Sequence, residues 1–140
     1  NTEPTADVLS LGNTFAGTGN GVVYAWSEIE GYSKFGTYEG NANNDGPFIY
    51  TGFRPRMLFI KNSEAQSPWT VYDGARDGFN ASTSPKQLFW NGTEADHTSY
   101  PADILSNGFK LRTSNATVNA SGTWIYGAWG DVPFKYNNTF

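Results

Sequence analysis

The stretch Trp124-Ile125-Tyr126-Gly127-Ala128-Trp129-Gly130-Asp131-Val132-Pro133-Phe134 reads as a strand, rich in Tyr and Trp and without helical period. A weaker copy stands near the other end as Val22-Val23-Tyr24-Ala25-Trp26-Ser27-Glu28-Ile29. Ala25 matches Ala128, Trp26 matches Trp129, Glu28 matches Asp131 and Ile29 matches Val132. A second match lies upstream of each: Ala6-Asp7-Val8-Leu9-Ser10-Leu11-Gly12 against Ala102-Asp103-Ile104-Leu105-Ser106-Asn107-Gly108. The two matches need different offsets, so one arm is shorter than the other. The beginning of the chain therefore looks like its end.

Composition agrees with strands. Aromatic residues are as frequent as charged ones, at 16% each, and many Gly, Asn, Ser and Thr accompany them. That pairing suits strands joined by turns, and it argues against disorder. A length of 140 residues is one domain's worth. The net charge of −4, with nine scattered basic residues, excludes nucleic acid as an expected partner. Without cysteine, disulfides and thiolate metal sites are out. No apolar run approaches the ~20 residues of a membrane span. A chain opening on Asn rather than Met has the look of a processed product, and the expected location is extracellular or on a cell or virion surface.

Residues 1–21 read as an extended arm, and 22–140 as the folded domain. The arm holds one apolar patch, Val8-Leu9-Ser10-Leu11, then a Gly/Asn/Thr-rich run with Phe15. From Val22 strand signals recur at short intervals: 22–29, 32–38, 48–53, the nearly continuous apolar run 57–61 expected in a sheet centre, 69–73, 109–113 and the final 124–134. Arg54-Pro55-Arg56 is read as a break, Leu88-Phe89-Trp90 as a short apolar patch and 115–122 as a turn-rich bridge. The expected fold is all-β: a single sandwich or barrel, jelly-roll-like, sealed by the final strand and preceded by the extended N-terminal arm.

Several segments also carry a family likeness. Glu30-Gly31-Tyr32-Ser33-Lys34-Phe35-Gly36-Thr37-Tyr38 is one, and Gly46-Pro47-Phe48-Ile49-Tyr50-Thr51-Gly52-Phe53-Arg54-Pro55 another. With Asp103-Ile104-Leu105-Ser106-Asn107-Gly108-Phe109-Lys110-Leu111-Arg112 and the closing stretch 124–134, they cover roughly residues 22–135. Together they resemble a widespread, uncharacterised β-sandwich module of tailed-phage, tail-fibre-like and bacterial surface proteins. In tandem arrays of that module, a closing strand runs straight into the next unit's Gly-Tyr-Ser-Lys-Phe segment. Residues 6–29 here resemble such a closing arm without its own body, as in pilus-like subunits that exchange donor strands. The resemblance implies a structural subunit of an extracellular helical filament, with itself as partner. The donor-arm candidates are Val8, Leu9, Leu11, Phe15, Val22 and Tyr24. The plainer arrangement pairs 22–29 within its own sandwich and leaves the first residues dangling.

Other chemistry finds less support. His97 is the sole histidine and reads as an exposed loop residue beside Asp96, with no nucleophile motif to serve. No spacing selects a catalytic pair among Glu28, Glu30, Glu39, Asp73 and Asp77, so no enzyme is expected and no cofactor is called for. The loop 41–45 offers oxygen ligands suited to calcium, but Asp45 is its only charge, and no metal site is assigned. Trp69, Trp90, Tyr72 and Tyr100 are candidate stacking faces for sugars, which makes a receptor- or carbohydrate-binding module the alternative function. Five sequons mark possible glycosylation at Asn80, Asn91, Asn115, Asn119 and Asn137.

Overall fold

The computed structural model describes Thr5, Asp7, Val8, residues 22–76, Asn80 and residues 86–131. The described residues form an all-β sandwich of two antiparallel sheets. The strands are β1 (Ser33–Gly40), β2 (Phe48–Tyr50), β3 (Pro55–Asn62), β4 (Thr70–Asp73), β5 (Gln87–Phe89), β6 (Ala102–Leu105), β7 (Gly108–Leu111) and β8 (Gly122–Gly130). A single helical turn, α1 (Ala116–Asn119), precedes β8. The larger sheet runs β1-β8-β3-β4-β5 and the smaller β2-β7-β6. First pairs with last, and second with seventh, as in a chain rolled up from its ends. β3–β4, β4–β5 and β6–β7 are instead adjacent hairpin neighbours, so the roll is only partial.

Side-chain alternation explains the layers. On β3, Leu58 and Ile60 face the smaller sheet and are fully buried; on β8, Trp124 and Ala128 do the same. Ile49, Phe109, Leu111 and Ala102 answer from the other sheet. Rings fill the gap between the layers: Tyr38 stacks on Trp124 at 6.1 Å, and Phe109 meets Tyr126 edge-on at 5.5 Å. Polar tips buried with these rings find partners, as burial requires. The Tyr38 hydroxyl donates to Val118 O at 2.6 Å, Tyr72 to Tyr100 O at 2.8 Å, and Trp124 Nε1 to Ala120 O at 3.0 Å. Burial pushes the Tyr38 and Tyr72 phenols far above their usual range.

Of the stretch 124–134, residues 124–130 belong to β8, which lies between β1 and β3 and is paired to both, while 132–134 lie outside the described residues. Three readings of the sequence are corrected. Residues 22–29 are not a strand of this sandwich, since only Ile29 makes a ladder contact, to Ser33. The break read at Arg54-Pro55-Arg56 falls earlier: β2 already ends at Tyr50, and Pro55 begins β3, tolerated because the register shifts between Pro55 and Met57. The bridge 115–122 contains α1, capped by Asn115 Oδ1, which accepts from Thr117 N at 2.8 Å.

Asn119 ties that bridge to the sandwich. It is fully buried, and its amide nitrogen lies 2.7 Å from Thr113 O, 2.9 Å from Asn43 O and 3.0 Å from Asn41 Oδ1. Its carboxamide oxygen accepts from Asn41 N at 3.0 Å. A glycan at Asn119 is incompatible with this packing, which corrects the reading of that sequon.

Candidate functional site

The outer face of the larger sheet, the one turned away from the core, is apolar at one end. Cα partners across strands share a face, so the register Phe35–Gly127–Phe59–Val71 lays one apolar row across four strands. Gly127 makes the row possible: a Cβ there would run into the Phe59 ring and come within 2.9 Å of Phe35 Cδ1. Trp129, two residues on, stands edge-on to Phe35 at 5.3 Å and 5.8 Å from Phe59. Beyond Phe59 lie Trp69 and Trp90, each with ring centroids 5.4 Å away.

Residues 22–28 run over this face instead of joining the sheet. Trp26 stacks on Phe35 at 6.2 Å and meets Trp129 edge-on at 5.7 Å, while Tyr24 stacks on Trp26 at 6.1 Å. The parity of a hairpin explains the departure. With Ile29 opposite Ser33, a continuing strand would set Trp26 opposite Gly36, whose β8 partner is Tyr126 on the core side. Trp26 cannot both continue that ladder and keep its place on the outer aromatic row. The chain takes the row. Ser33 Oγ then donates to Ser27 O at 2.9 Å, and the Glu28 carboxylate accepts from Phe35 N at 3.0 Å, in the place a partner strand's carbonyl would occupy.

The result is an apolar cleft of ≈ 480 Å³ lined by Val22, Val23, Tyr24, Trp26, Trp69, Trp90 and Asn91. Its wall is largely open to solvent: Val22 is 74% exposed, Tyr24 75% and Trp26 51%. Asn91 is its polar side chain, and its Oδ1 already accepts from Trp69 N at 2.9 Å.

Of the candidate residues, the structure brings Val22 and Tyr24 together on this cleft. Val8 is exposed and sits in a small local turn in which Thr5 N donates to Val8 O at 2.9 Å. Leu9, Leu11, Phe15 and Asn137 lie outside the described residues. The proposed sugar-stacking set divides: Trp69 and Trp90 line the cleft, whereas Tyr72 and Tyr100 are buried. Asn91 and Asn115 are exposed but act as local acceptors. Asn80, also exposed, engages both backbone groups of Ile104, accepting from its N at 2.6 Å and donating to its O at 3.1 Å.

The chemistry-bearing candidates are drawn into structure. His97 is half-buried rather than exposed, stacked on Tyr100 at 4.5 Å, and Asp96 pairs with Arg76 at 2.7 Å. Glu39 accepts from Thr123 and Asp73 from Ala75 N, while Asp77 lies outside the described residues. In the loop 41–45 the side-chain amide oxygens are already engaged: Asn41 Oδ1 accepts from Asn43 N, Asn43 Oδ1 from Asp45 N, and Asn44 Oδ1 from Ser114 N. Its one carboxylate, Asp45, meets Lys110 Nζ at 2.9 Å, and that hydrogen bond holds its pKa below the usual carboxylate value. Among the described residues no group of three or more His, Cys, Asp or Glu is placed to hold a metal, and no helix is long and apolar enough to cross a membrane.

Sequence reasoning found the repeat but missed Gly127, Phe35 and Phe59 as the row on which Trp26, Trp69 and Trp90 rest. The spacing of Gly127 and Trp129 was a local signal; the approach of Phe35 and Phe59 needs the strand register. Family comparison supplies the last observation: residues 1–133 match the model of a Domain of unknown function (DUF7483), and the chain belongs to that family. The match takes in the N-terminal segment as well as the sandwich. Neither the curated proteins nor the solved structures yield a match.

Proposed function

We propose that this DUF7483 domain is a structural subunit that polymerises, through its N-terminal segment, into an extracellular pilus-like filament. The observation that carries the reading is the fate of residues 22–28. They repeat part of the sequence of β8, yet stay out of their own sheet and present Val22, Val23, Tyr24 and Trp26 to solvent. An apolar patch of this kind on a folded surface favours association. The cleft also suits apolar side chains, since it offers few polar groups to a hydrophilic ligand. A head-to-tail contact made by an extended segment propagates unless its rotation closes a ring. The test is electron microscopy and light scattering on the full chain and on a chain lacking residues 1–21. The full chain forms long polymers and the shortened one a monomer; polymers that persist unchanged after the deletion refute the reading.

A second reading rests on the same aromatics. Tyr24, Trp26, Trp69 and Trp90 offer π-faces of the kind that stack on the apolar faces of sugar rings. A receptor- or glycan-binding module of a tail-fibre-like or surface protein then binds carbohydrate without polymerising. Titration of glycans against the wild-type chain and Trp90→Ala separates the two readings, because only a binding module loses a measurable affinity.

A further inference from the structure

We infer that the outer edge of β1 is the acceptor for a strand donated by a second copy of this chain. The inference deepens the assembly reading above and rests on it.

Unpaired strand edges invite pairing with other chains, and folded proteins usually blunt them. Three of the four sheet edges here are short, and two of those are visibly covered. β5 has three residues, and its outer side is met by His97, with Gln87 N to His97 O at 2.8 Å and His97 N to Gln87 O at 3.0 Å. β6 has four residues and is capped by the Asn80 carboxamide at Ile104. β2 has three residues and follows Pro47. β1 differs: it has eight residues, and among the described residues the backbone of its outer side meets only residues 27–29, all at its first half.

The direction of its amides shows what remains open. Ser33 N donates to Ile29 O and Phe35 N to Glu28, so both point away from β8. Alternation along the strand turns the N–H groups of Thr37 and Glu39 the same way. Its own residues 22–28 cannot fill this edge while Trp26 stays on the aromatic row, by the parity already described. A strand from elsewhere carries no such constraint.

The sequence supplies the donor. Ala6-Asp7-Val8-Leu9 repeats Ala102-Asp103-Ile104-Leu105, and the later copy is strand β6. The earlier copy thus has strand-forming sequence, and the hydrogen bonds of Thr5 to Asp7 and Val8 are exposed, so pairing with β1 replaces them at little cost. Residues 22–29 remain anchored at home, and the thirteen Cα–Cα steps from Leu9 to Val22 reach at most roughly 45 Å, enough to cross to a neighbouring sandwich. Main-chain bonds to the open half of β1 supply the attachment, as in other cases of strand addition.

Proline at position 37 removes an outward N–H without touching the bonds to β8, and edge strands accept proline. Thr37→Pro is therefore compared with wild type by light scattering and electron microscopy, with circular dichroism and thermal melting as checks on the fold. The expected result is a folded monomer in place of polymer. A second measurement does not depend on how that variant folds. The chain has no cysteine, so Val8→Cys combined with Thr37→Cys and treated with a short bis-maleimide should give a ladder of covalent oligomers. Val8→Cys combined with Thr93→Cys, on the loop after β5, should not. If wild-type chains never polymerise, the assembly reading itself fails. If they polymerise, Thr37→Pro polymerises equally and the first pair gives no ladder, only the assignment to β1 fails.

Discussion

Tyr24-Ala25-Trp26 and Gly127-Ala128-Trp129 share two residues of three and end in opposite situations. The second lies in β8, hydrogen-bonded to β1 and β3, with Ala128 fully buried between the sheets. The first lies across the outer face of the same sheet, its Tyr24 mostly exposed and its Trp26 resting on Trp129. The difference comes down to one side chain and one turn. Glycine at 127 leaves room for Phe35 and Phe59 to close over the strand, where tyrosine at 24 would not fit. The turn between Ile29 and Ser33 sets a register in which Trp26 would face the wrong side. Similar strand sequences become one strand and one cover, because the sheet has a place for only one of them.

The most severe way to break this comparison is to make the strand resemble its copy. Gly127→Tyr forces a ring into the space held by Phe35 and Phe59 and should destabilise by about 3 kcal/mol or more, which lowers the urea midpoint by more than about 1 M. The reciprocal Tyr24→Gly should leave the midpoint nearly unchanged. Equal effects would mean the two stretches are equivalent after all. A milder contrast removes the matching tryptophans. Trp129→Ala should cost about 3 kcal/mol, being packed among Phe35, Phe59 and Trp26, and the half-exposed Trp26→Ala about 1 kcal/mol. Denaturant titration measures both, and a larger loss from Trp26 would sink the view that it is a cover.

The smallest effect is electrostatic and touches β8 through Tyr126. Burial, and then the nearby Glu28 carboxylate, raise the Tyr126 pKa. A group whose folded pKa is raised lends stability that is complete below its unfolded pKa and lost as pH rises through the folded value. Stability should therefore decline above pH about 10, the ordinary tyrosine value. Tyr126→Phe should make that decline shallower in a pH series of thermal melts; a slope identical to wild type would show that Tyr126 carries none of it.

Much of the sandwich was legible because its signals are local. The apolar run 57–61 became the central part of β3, and the alternation over 109–111 fell in β7, since a strand covered on one face must alternate and one covered on both need not. Aromatics and turn residues sufficed to predict an all-β fold. The site was less legible. Trp69 and Trp90 were singled out together with Tyr72 and Tyr100, and nothing in four aromatic residues says which will be buried until the strands are registered. Asn119 looked like a glycosylation sequon; only the approach of residues 41–43 and 113 makes it a buried tie.

By itself the sequence determined the class of fold, the positions of most strands and the existence of two similar stretches at its two ends. Those follow from residue-by-residue preference and period, which need no knowledge of neighbours. Tertiary structure decided which copy enters the sheet, which edge is left open and which aromatics face solvent. These depend on register, on the room left by a missing Cβ at Gly127 and on the parity of a five-residue turn, all of which arise only when distant segments meet.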